Sequence, residues 1–288
     1  MVEEGRSPVT RPHRHNGSVT FHRYVALGDS FTEGVGDPDP ARPNGLRGWA
    51  DRVAEVLAQQ TDDFGYANLA IRGRKLDQIV AEQIEPAVAL EPDLVTIYAG
   101  ANDILRPKVD IDGLVERYAE AMGRLASTGA RLLVFTGFDL GFAPVFRHLR
   151  GRVATYNELV REAADDHGAT IVDYWRRREY RDPRLWDIDR MHMSAAGHER
   201  MAAIVLDALD VPHRLTPAEL DPLPEMDRRQ RRDADLAWAR AHAAPWVQRR
   251  LRGTSSGDGL TPRYPTFVTP GEAVASAPLP QEISRSPQ

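Results

Sequence analysis

The sequence predicts a three-layer α/β/α domain built on a five-stranded, doubly wound parallel sheet. Short apolar, β-branched runs alternate with longer amphipathic stretches between residues 24 and 209. Such alternation is typical of βαβ units, whose parallel strands are covered by helices on both faces. Because crossovers between parallel strands are right-handed, a doubly wound layer is the economical arrangement. With 288 residues, 42% of them hydrophobic, the chain is long enough to bury a sizeable core.

Five strands and five helices account for this alternation. We predict strands at residues 24–27, 64–70, 94–99, 131–135 and 170–172, and helices at residues 49–59, 76–90, 111–127, 153–167 and 195–209. Within the third helix, Leu114, Tyr118 and Leu125 recur at separations that place them on one face. Gly129 stands where that helix should end, and Ser194 is expected to cap the last one.

The remaining chain differs in composition from this alternating block. We expect a disordered segment at residues 1–20, a main α/β domain at 21–213, a helical extension at 214–252 and a disordered tail at 253–288. The extension carries paired arginines around a stripe of Leu236, Trp238, His242, Trp246 and Leu251, interrupted by Pro245. It is predicted to form one or two kinked amphipathic helices. Acidic residues dilute its charge, so docking or self-association as a homodimer is favoured over nucleic-acid binding.

Charge and composition limit the classes of partner. A net charge of −5 and a pI near 6.0 give no overall basic field for nucleic acid or anionic lipid. The absence of cysteine excludes disulfides, thiolate nucleophiles and cysteine zinc sites. No apolar run follows the acidic amino terminus or approaches the length of a membrane span. We therefore expect a cytoplasmic protein with a small-molecule substrate.

The residues with catalytic potential stand at the ends of predicted strands. Ser30 follows the first strand directly, at the sheet edge where open α/β folds bind ligands. Far downstream, Asp189 and His192 lie three residues apart, so the carboxylate can accept from Nδ1 and leave Nε2 for the serine. Gly73 and Asn102 follow the second and third strands and could supply donors to an oxyanion. Together these residues match the requirements of nucleophilic ester cleavage.

These blocks resemble those of the SGNH hydrolases, also called the GDSL esterase/lipase family. The matching segments are Gly28 to Gly34, Asn68 to Gly73, Gly100 to Asp103 and Asp189 to His192. Each motif is short, but all four occur in order at strand ends, over roughly residues 22 to 210. The resemblance implies a flavodoxin-like sheet, no cofactor and no metal.

The resemblance also implies a role for each site residue. Ser30 would be the nucleophile, His192 the base and Asp189 its orienting acid. The N–H groups of Ser30 and Gly73 and the side chain of Asn102 would form the oxyanion hole. Arg72 and Arg74 depart from the family pattern, in which smaller residues flank the oxyanion glycine. They would either shape the pocket for an acidic substrate or form structural ion pairs.

Several further residues have both a structural and a functional interpretation. Asp29 and Asp103 are expected to brace loops, and His198 to pack in the last helix. Trp186 and the loop at residues 138–150, with Phe142 and Phe146, either line a substrate pocket or cover the sheet edge. His13, His15 and His22 lack the carboxylate spacing of a metal site.

The sequence thus predicts a serine esterase that cleaves esters of small or medium acyl chains through an acyl-enzyme. Within that class, an O-deacetylase, a lysophospholipase or a thioesterase remain open. The alternative from another class is a ligand-binding module without catalysis. Residues that bind substrate cannot be assigned from sequence, because pocket shape depends on loop conformation.

Overall fold

A computed structural model describes residues 20–143 and 146–270, apart from the side chain of Arg250. The six strands are β1 (Arg23–Gly28), β2 (Gly65–Asn68), β3 (Leu94–Tyr98), β4 (Arg131–Phe135), β5 (Thr170–Val172) and β6 (Tyr264–Val268). The helices are α1 (Ser30–Glu33), α2 (Trp49–Leu57), α3 (Leu76–Ile79), α4 (Glu85–Ala89), α5 (Ala101–Ile104), α6 (Ile111–Ala126), α7 (Arg150–Asp166), α8 (Ala195–Ala208), α9 (Arg228–Trp238) and α10 (Ala244–Leu251). Two π-helical turns, Val80–Ile84 and Ala239–Ala243, join α3 to α4 and α9 to α10.

The strands form one sheet in the order β5-β4-β3-β1-β2-β6. Strands β1 to β5 pair in parallel, as predicted, with β1 between β2 and β3. The chain therefore leaves β1 toward one side of the sheet and returns to the other side at β3. This reversal creates a crevice at the carboxyl ends of β1 and β3, where ligands bind in open α/β folds. Ser30 and Asn102 directly follow these two strand ends.

The two faces of the sheet bury separate clusters of apolar side chains. Along β1, Tyr24 and Ala26 face one cluster, whereas Val25 and Leu27 face the other. The first cluster is covered by α2 and α8, and the second by α3, α4, α6 and α7. Alternation with a period of two residues explains why a fully buried strand feeds both faces. The predicted three-layer architecture is confirmed.

The sheet has six strands rather than the predicted five, because part of the tail at residues 253–288, which was predicted to be disordered, forms a strand. β6 lies within that tail and pairs antiparallel with β2 at the edge of the sheet. Its neighbour Arg263 is fully buried against Asp51, and the ring of Tyr264 packs 5.6 Å from that of Tyr66. These contacts are remote in sequence, so the Gly- and Pro-rich composition of the tail did not indicate them. Residues 271–288, like residues 1–19, lie outside the described residues.

The helical extension predicted at residues 214–252 is helical only in its second half. Residues 212–227 have no regular structure, and one continuous helical segment runs from Arg228 to Leu251. We call residues 228–251 the C-terminal helical segment. Pro245 lies just after the π-helical turn, where a proline without an N–H can be accommodated. Within the described residues, no helix has both the length and the apolarity needed to cross a bilayer.

Candidate active site

Ser30 is presented by a tight connection between β1 and α1. Gly28 ends the strand with φ at 140°, and a side chain there would collide with the carbonyl oxygen of Tyr98. The buried amide of Gln83 fixes this turn, because it accepts from Gly28 N at 2.8 Å and donates to Gly28 O at 2.9 Å. Asp29 then caps α1 by accepting from Phe31 N. Ser30 consequently lies at the first position of α1, half-buried at the sheet edge.

Asp189 and His192 form a close pair on the loop before α8. Asp189 Oδ2 lies 2.5 Å from His192 Nδ1, and Asp189 Oδ1 accepts from the N–H groups of Met191 and His192 at 2.9 and 3.0 Å. Burial acts to raise the pKa of Asp189. The hydrogen bond and charge of His192 and the two backbone N–H groups outweigh burial and lower that pKa to about 2. Asp189 is thus a carboxylate at neutral pH, and Nε2 is the ring nitrogen left to face the cavity.

Ser30 and His192 line the same cavity, together with Asp29 and Asn102. Among the described residues, the Ser30 hydroxyl makes no hydrogen bond, so its contact with His192 is not formed in this arrangement. Such bonds are commonly long in enzymes without substrate and tighten when substrate binds. The structure therefore brings Ser30 and His192, the predicted nucleophile and base, to one cavity, and it pairs His192 with Asp189.

Asn102 is held beside the nucleophile by Asp29. Its side-chain nitrogen lies 2.9 Å from Asp29 Oδ2 and 3.1 Å from the carbonyl oxygen of Arg74. Burial raises the pKa of Asp29 to about 7, against the opposing effects of Phe31 N–H and the charge of His192. Asp29 therefore has the loop-bracing role expected from its position, and it also orients Asn102.

Gly73 does not line the cavity, although it was predicted to contribute to an oxyanion hole. Its φ of +75° favours glycine, and a Cβ at this position would lie 2.1 Å from Ser255 Oγ. The residues after the C-terminal helical segment thus cover the loop that carries Gly73. Sequence reasoning missed this cover, because it assigned residues 253–288 to a disordered tail.

Arg72 and Arg74 form structural ion pairs, which decides between the two alternatives. Arg72 binds the fully buried side chain of Glu33, with Nη2 2.7 Å from Oε1. Arg74 lies 2.8 Å from Glu82 and 3.6 Å from Asp258. Neither arginine is among the described residues that line the cavity.

Two other polar residues have the structural roles expected for them. Asp103 accepts from Leu76 N at 2.9 Å and so braces the loop after β3. His198 is fully buried, with Nδ1 accepting from Trp49 N and Nε2 next to the carbonyl oxygen of Val35. Burial lowers the pKa of His198 to about 3, so it remains neutral. Within the described residues, no three His, Asp or Glu side chains are grouped to hold a metal ion, and His13 and His15 lie outside them.

The cavity beside Ser30 has a volume of about 170 Å³ and mainly apolar walls. Phe138, Phe142, Phe146 and Trp186 line it, so the described aromatic residues of the predicted loop form a pocket wall together with Trp186. The rings of Phe138 and Trp186 are 4.8 Å apart, and the Trp186 indole donates to the carbonyl oxygen of Tyr180 at 2.7 Å. An additional wall residue, Trp246, comes from the C-terminal helical segment. Its place in the aromatic stripe was noticeable from sequence, but its contact with the cavity was not.

A family model matches residues 26–200, which is more than half of the chain, and describes the GDSL-like lipase/acylhydrolase family. The chain belongs to this family. A multidomain esterase of Ruminococcus flavefaciens is 26% identical over 122 residues, which are 41% of this chain and 16% of that protein. The chain therefore spans only a small part of that relative's length.

Solved structures of the family share the fold at low sequence identity. An α/β hydrolase enzyme from the metagenome of Lake Arreo, Spain, has a TM-score of 0.54 and 24% identity, covering 66% of this chain and 95% of that one. An acetylxylan esterase from Geobacillus stearothermophilus has a TM-score of 0.54 and 21% identity, covering 68% and 98%. A lipase/acylhydrolase from Enterococcus faecalis has a TM-score of 0.51 and 20% identity, covering 69% and 100%. The neighbours are thus matched almost completely, whereas about a third of this chain is not.

Proposed function

We propose that the protein is a serine esterase that hydrolyses carboxylic esters of small or medium acyl chains. Ser30 Oγ attacks the ester carbonyl, and His192 Nε2 takes the hydroxyl proton and passes it to the leaving alcohol. Water then attacks the acyl-enzyme with His192 again as base. The observation that carries this proposal is the Asp189–His192 pair, closed at 2.5 Å, in which His192 lines the same cavity as Ser30.

Asp189 supports the reaction through its charge. His192 becomes an imidazolium while it holds the serine proton, and a carboxylate at its Nδ1 stabilises that cation. The low pKa of Asp189, about 2, keeps this carboxylate ionised throughout the neutral range. The two backbone N–H groups on Asp189 Oδ1 hold the carboxylate in its orientation.

In this proposal the oxyanion binds the N–H groups of Ser30 and Gly73 and the side chain of Asn102. Asn102 and the Ser30 backbone are at the cavity, at the ends of β3 and β1. One amide hydrogen of Asn102 must turn from Asp29 or Arg74 O toward the substrate. Gly73 would reach the oxyanion only with a shift of its loop, so it is the weakest member of the set.

The test is hydrolysis of p-nitrophenyl esters by the wild type and Ser30→Ala at equal concentration and pH 8. We expect the substitution to lower kcat at least 10³-fold, because the nucleophile is removed. Ser127→Ala, at an exposed serine of another surface, should retain the wild-type rate. Undiminished hydrolysis by Ser30→Ala would contradict the proposal.

Three alternatives lead to different outcomes in this assay. An O-deacetylase would cleave only acetyl esters, a preference suggested by the acetylxylan esterases among the structural neighbours. A lysophospholipase or thioesterase would favour longer chains or a thiol leaving group. A ligand-binding module without catalysis would cleave none of the esters and would leave Ser30 unreactive toward a fluorophosphonate.

A further inference from the structure

The C-terminal helical segment lies directly on the loop that carries Asp189 and His192. The indole nitrogen of Trp238 donates to the backbone carbonyl of Asp189 at 2.8 Å. Arg190 forms an ion pair with Asp235 at 2.6 Å, and its guanidinium lies 5.0 Å from the centre of the Trp238 ring. Three contacts of different kinds thus join α9 to two adjacent residues of this loop.

One face of the segment is turned toward the catalytic domain. Ala234, Trp238, His242 and Trp246 follow one another at intervals of four residues and are all half-buried. Leu236 and Leu251, which the sequence pattern placed in the same stripe, are instead 45% and 84% exposed. This half-buried face includes both tryptophans of the segment: Trp238 contacts the loop of Asp189, and Trp246 lines the cavity.

Trp246 is the point at which the segment enters the cavity. It lines the same space as Ser30 and His192, and its ring meets that of Phe146 nearly edge-on, with 6.2 Å between ring centres. Every other described residue that lines the cavity lies between Asp29 and Met193. The family match ends at residue 200, so Trp246 adds a wall from outside the matched region.

We propose that Trp246 sets the size of the apolar group that the esterase accepts. This proposal rests on the proposed function and makes it more specific. A cavity of about 150 Å³ with apolar walls holds benzene, and the cavity here measures about 170 Å³. The preferred substrates are therefore esters with an apolar group of about six carbons on one side of the ester bond. The contacts of Trp238 and Arg190 hold the wall in place.

The first test compares esters of increasing length in the wild type, Trp246→Ala and Trp246→Phe. One series varies the acyl chain of p-nitrophenyl esters, and the other varies the alcohol of acetate esters. Removing the indole opens one side of the cavity, so ten-carbon groups gain room while six-carbon groups lose contact. We expect Trp246→Ala to raise the ten-to-six ratio of kcat/KM at least tenfold, and Trp246→Phe to raise it less.

Val247→Ala is the matched control, because Val247 is the next residue on the same helix and is 45% exposed. It should leave the ratio within twofold of the wild type. The substrate series in which the ten-to-six ratio of kcat/KM rises shows whether the cavity binds the acyl or the alcohol group. A rise in either series supports the role of Trp246 as a wall of the cavity. A ratio within twofold of the wild type in both series for Trp246→Ala would overturn it.

A binding measurement separates this proposal from the proposed function. Hexanamide, an uncharged amide with a six-carbon acyl group, is titrated into Ser30→Ala while the indole N–H signals are followed by NMR. The Trp246 signal, assigned by its loss in Trp246→Phe, should shift, and Trp246→Ala should weaken binding at least threefold. If the chemical shift of the Trp246 indole does not change, the proposed role of Trp246 is wrong, whether or not the wild type cleaves esters. A shifted signal in an enzyme without esterase activity would contradict the proposed function alone.

Discussion

The buried ion pair between Arg263 and Asp51 should hold β6 to the sheet. Both side chains are fully buried, and Arg263 also donates to the carbonyl oxygen of Leu46 at 2.5 Å. Replacing Arg263 by methionine keeps much of its volume but leaves Asp51 without its closest cation. Removing one partner of a buried pair typically costs about 3 to 5 kcal/mol, because an uncompensated charge remains.

The expected cost for Arg263→Met is near the lower end of that range. Asp51 retains Arg42, with Nη1 3.5 Å from Oδ1, and the backbone N–H of Gly48 at 2.8 Å. We therefore expect a loss of about 3 kcal/mol in the free energy of unfolding. Detachment of β6 would admit water to Asp51, so the edge strand should open before the rest of the sheet.

Urea denaturation followed by tryptophan fluorescence measures the global loss, and hydrogen exchange of residues 264–268 measures the local opening. Arg252→Met, at an exposed arginine just before the tail, makes the same charge change without a buried partner. It should alter the free energy of unfolding by less than about 0.5 kcal/mol. Wild-type stability and unchanged exchange in Arg263→Met would refute the reasoning.

Three further predictions concern the active site. Burial raises the pKa of Asp29 to about 7 in the folded protein, so between about pH 4 and 7 this carboxyl ionises in the unfolded state but not in the folded state. The free energy of unfolding of the wild type, compared with that of Asp29→Asn, should therefore fall as the pH rises from about 4 to 7 and change no further above 7. Urea denaturation should show that the wild type loses about 3 kcal/mol of unfolding free energy relative to Asp29→Asn between pH 4.5 and 7.5. A difference between the two proteins that does not change with pH would contradict this prediction. Asp189→Asn should lower kcat about 10⁴-fold by favouring the wrong His192 tautomer. Asp187→Asn, on the same loop, should keep the wild-type kcat. Equal kcat values for the two variants would exclude the proposed role of Asp189. Gly73→Ala should reduce kcat at least tenfold, because a residue with a Cβ is strained at the φ of +75° and would displace the loop that carries the proposed oxyanion N–H. Gly129→Ala has a similar φ of +80° and open space around it, so matching losses in the two variants would show backbone strain alone.

The strands and helices of the parallel sheet could be predicted because the apolar pattern that identifies each one lies within the element itself. The run at Thr170–Val172 and the helix beginning at Trp49 were each located by apolar patterning within a few residues. The predicted helix at residues 76–90 is divided by the π-helical turn Val80–Ile84. That turn contains Gln83, whose amide fixes Gly28 from 55 residues away, and no local pattern indicates such a contact.

The Asp189–His192 pair was predictable because a separation of three residues brings both side chains together on one turn. Ser30 and Asn102 were predictable from their places after β1 and β3, which pair in the sheet. Gly73 was placed by motif alone, and its distance from the cavity depends on how residues 253–258 cover its loop. Motifs therefore located the residues, while their mutual geometry depended on the rest of the chain.

Two further features missed by sequence reasoning, the strand β6 and the contact of Trp246 with the cavity, arise from the chain beyond residue 213. β6 is antiparallel and pairs with a strand almost 200 residues earlier, so no βαβ pattern announces it. Trp246 was recognised as part of an amphipathic helix, but periodicity shows which side of a helix is apolar and not what it packs against. In the structure, Trp246 packs beside Phe146 and lines the cavity that also holds Ser30 and His192.

The central claim is that Ser30 is a nucleophile activated by His192. The most direct measurement is mass spectrometry of the protein after treatment with an alkyl fluorophosphonate, with the modified peptide sequenced. We predict one adduct, on Ser30, with labelling strongly slowed in His192→Ala and unaffected in His167→Ala, a substitution at the end of α7. Absence of an adduct on Ser30, or equal labelling rates in His192→Ala and the wild type, would contradict the claim.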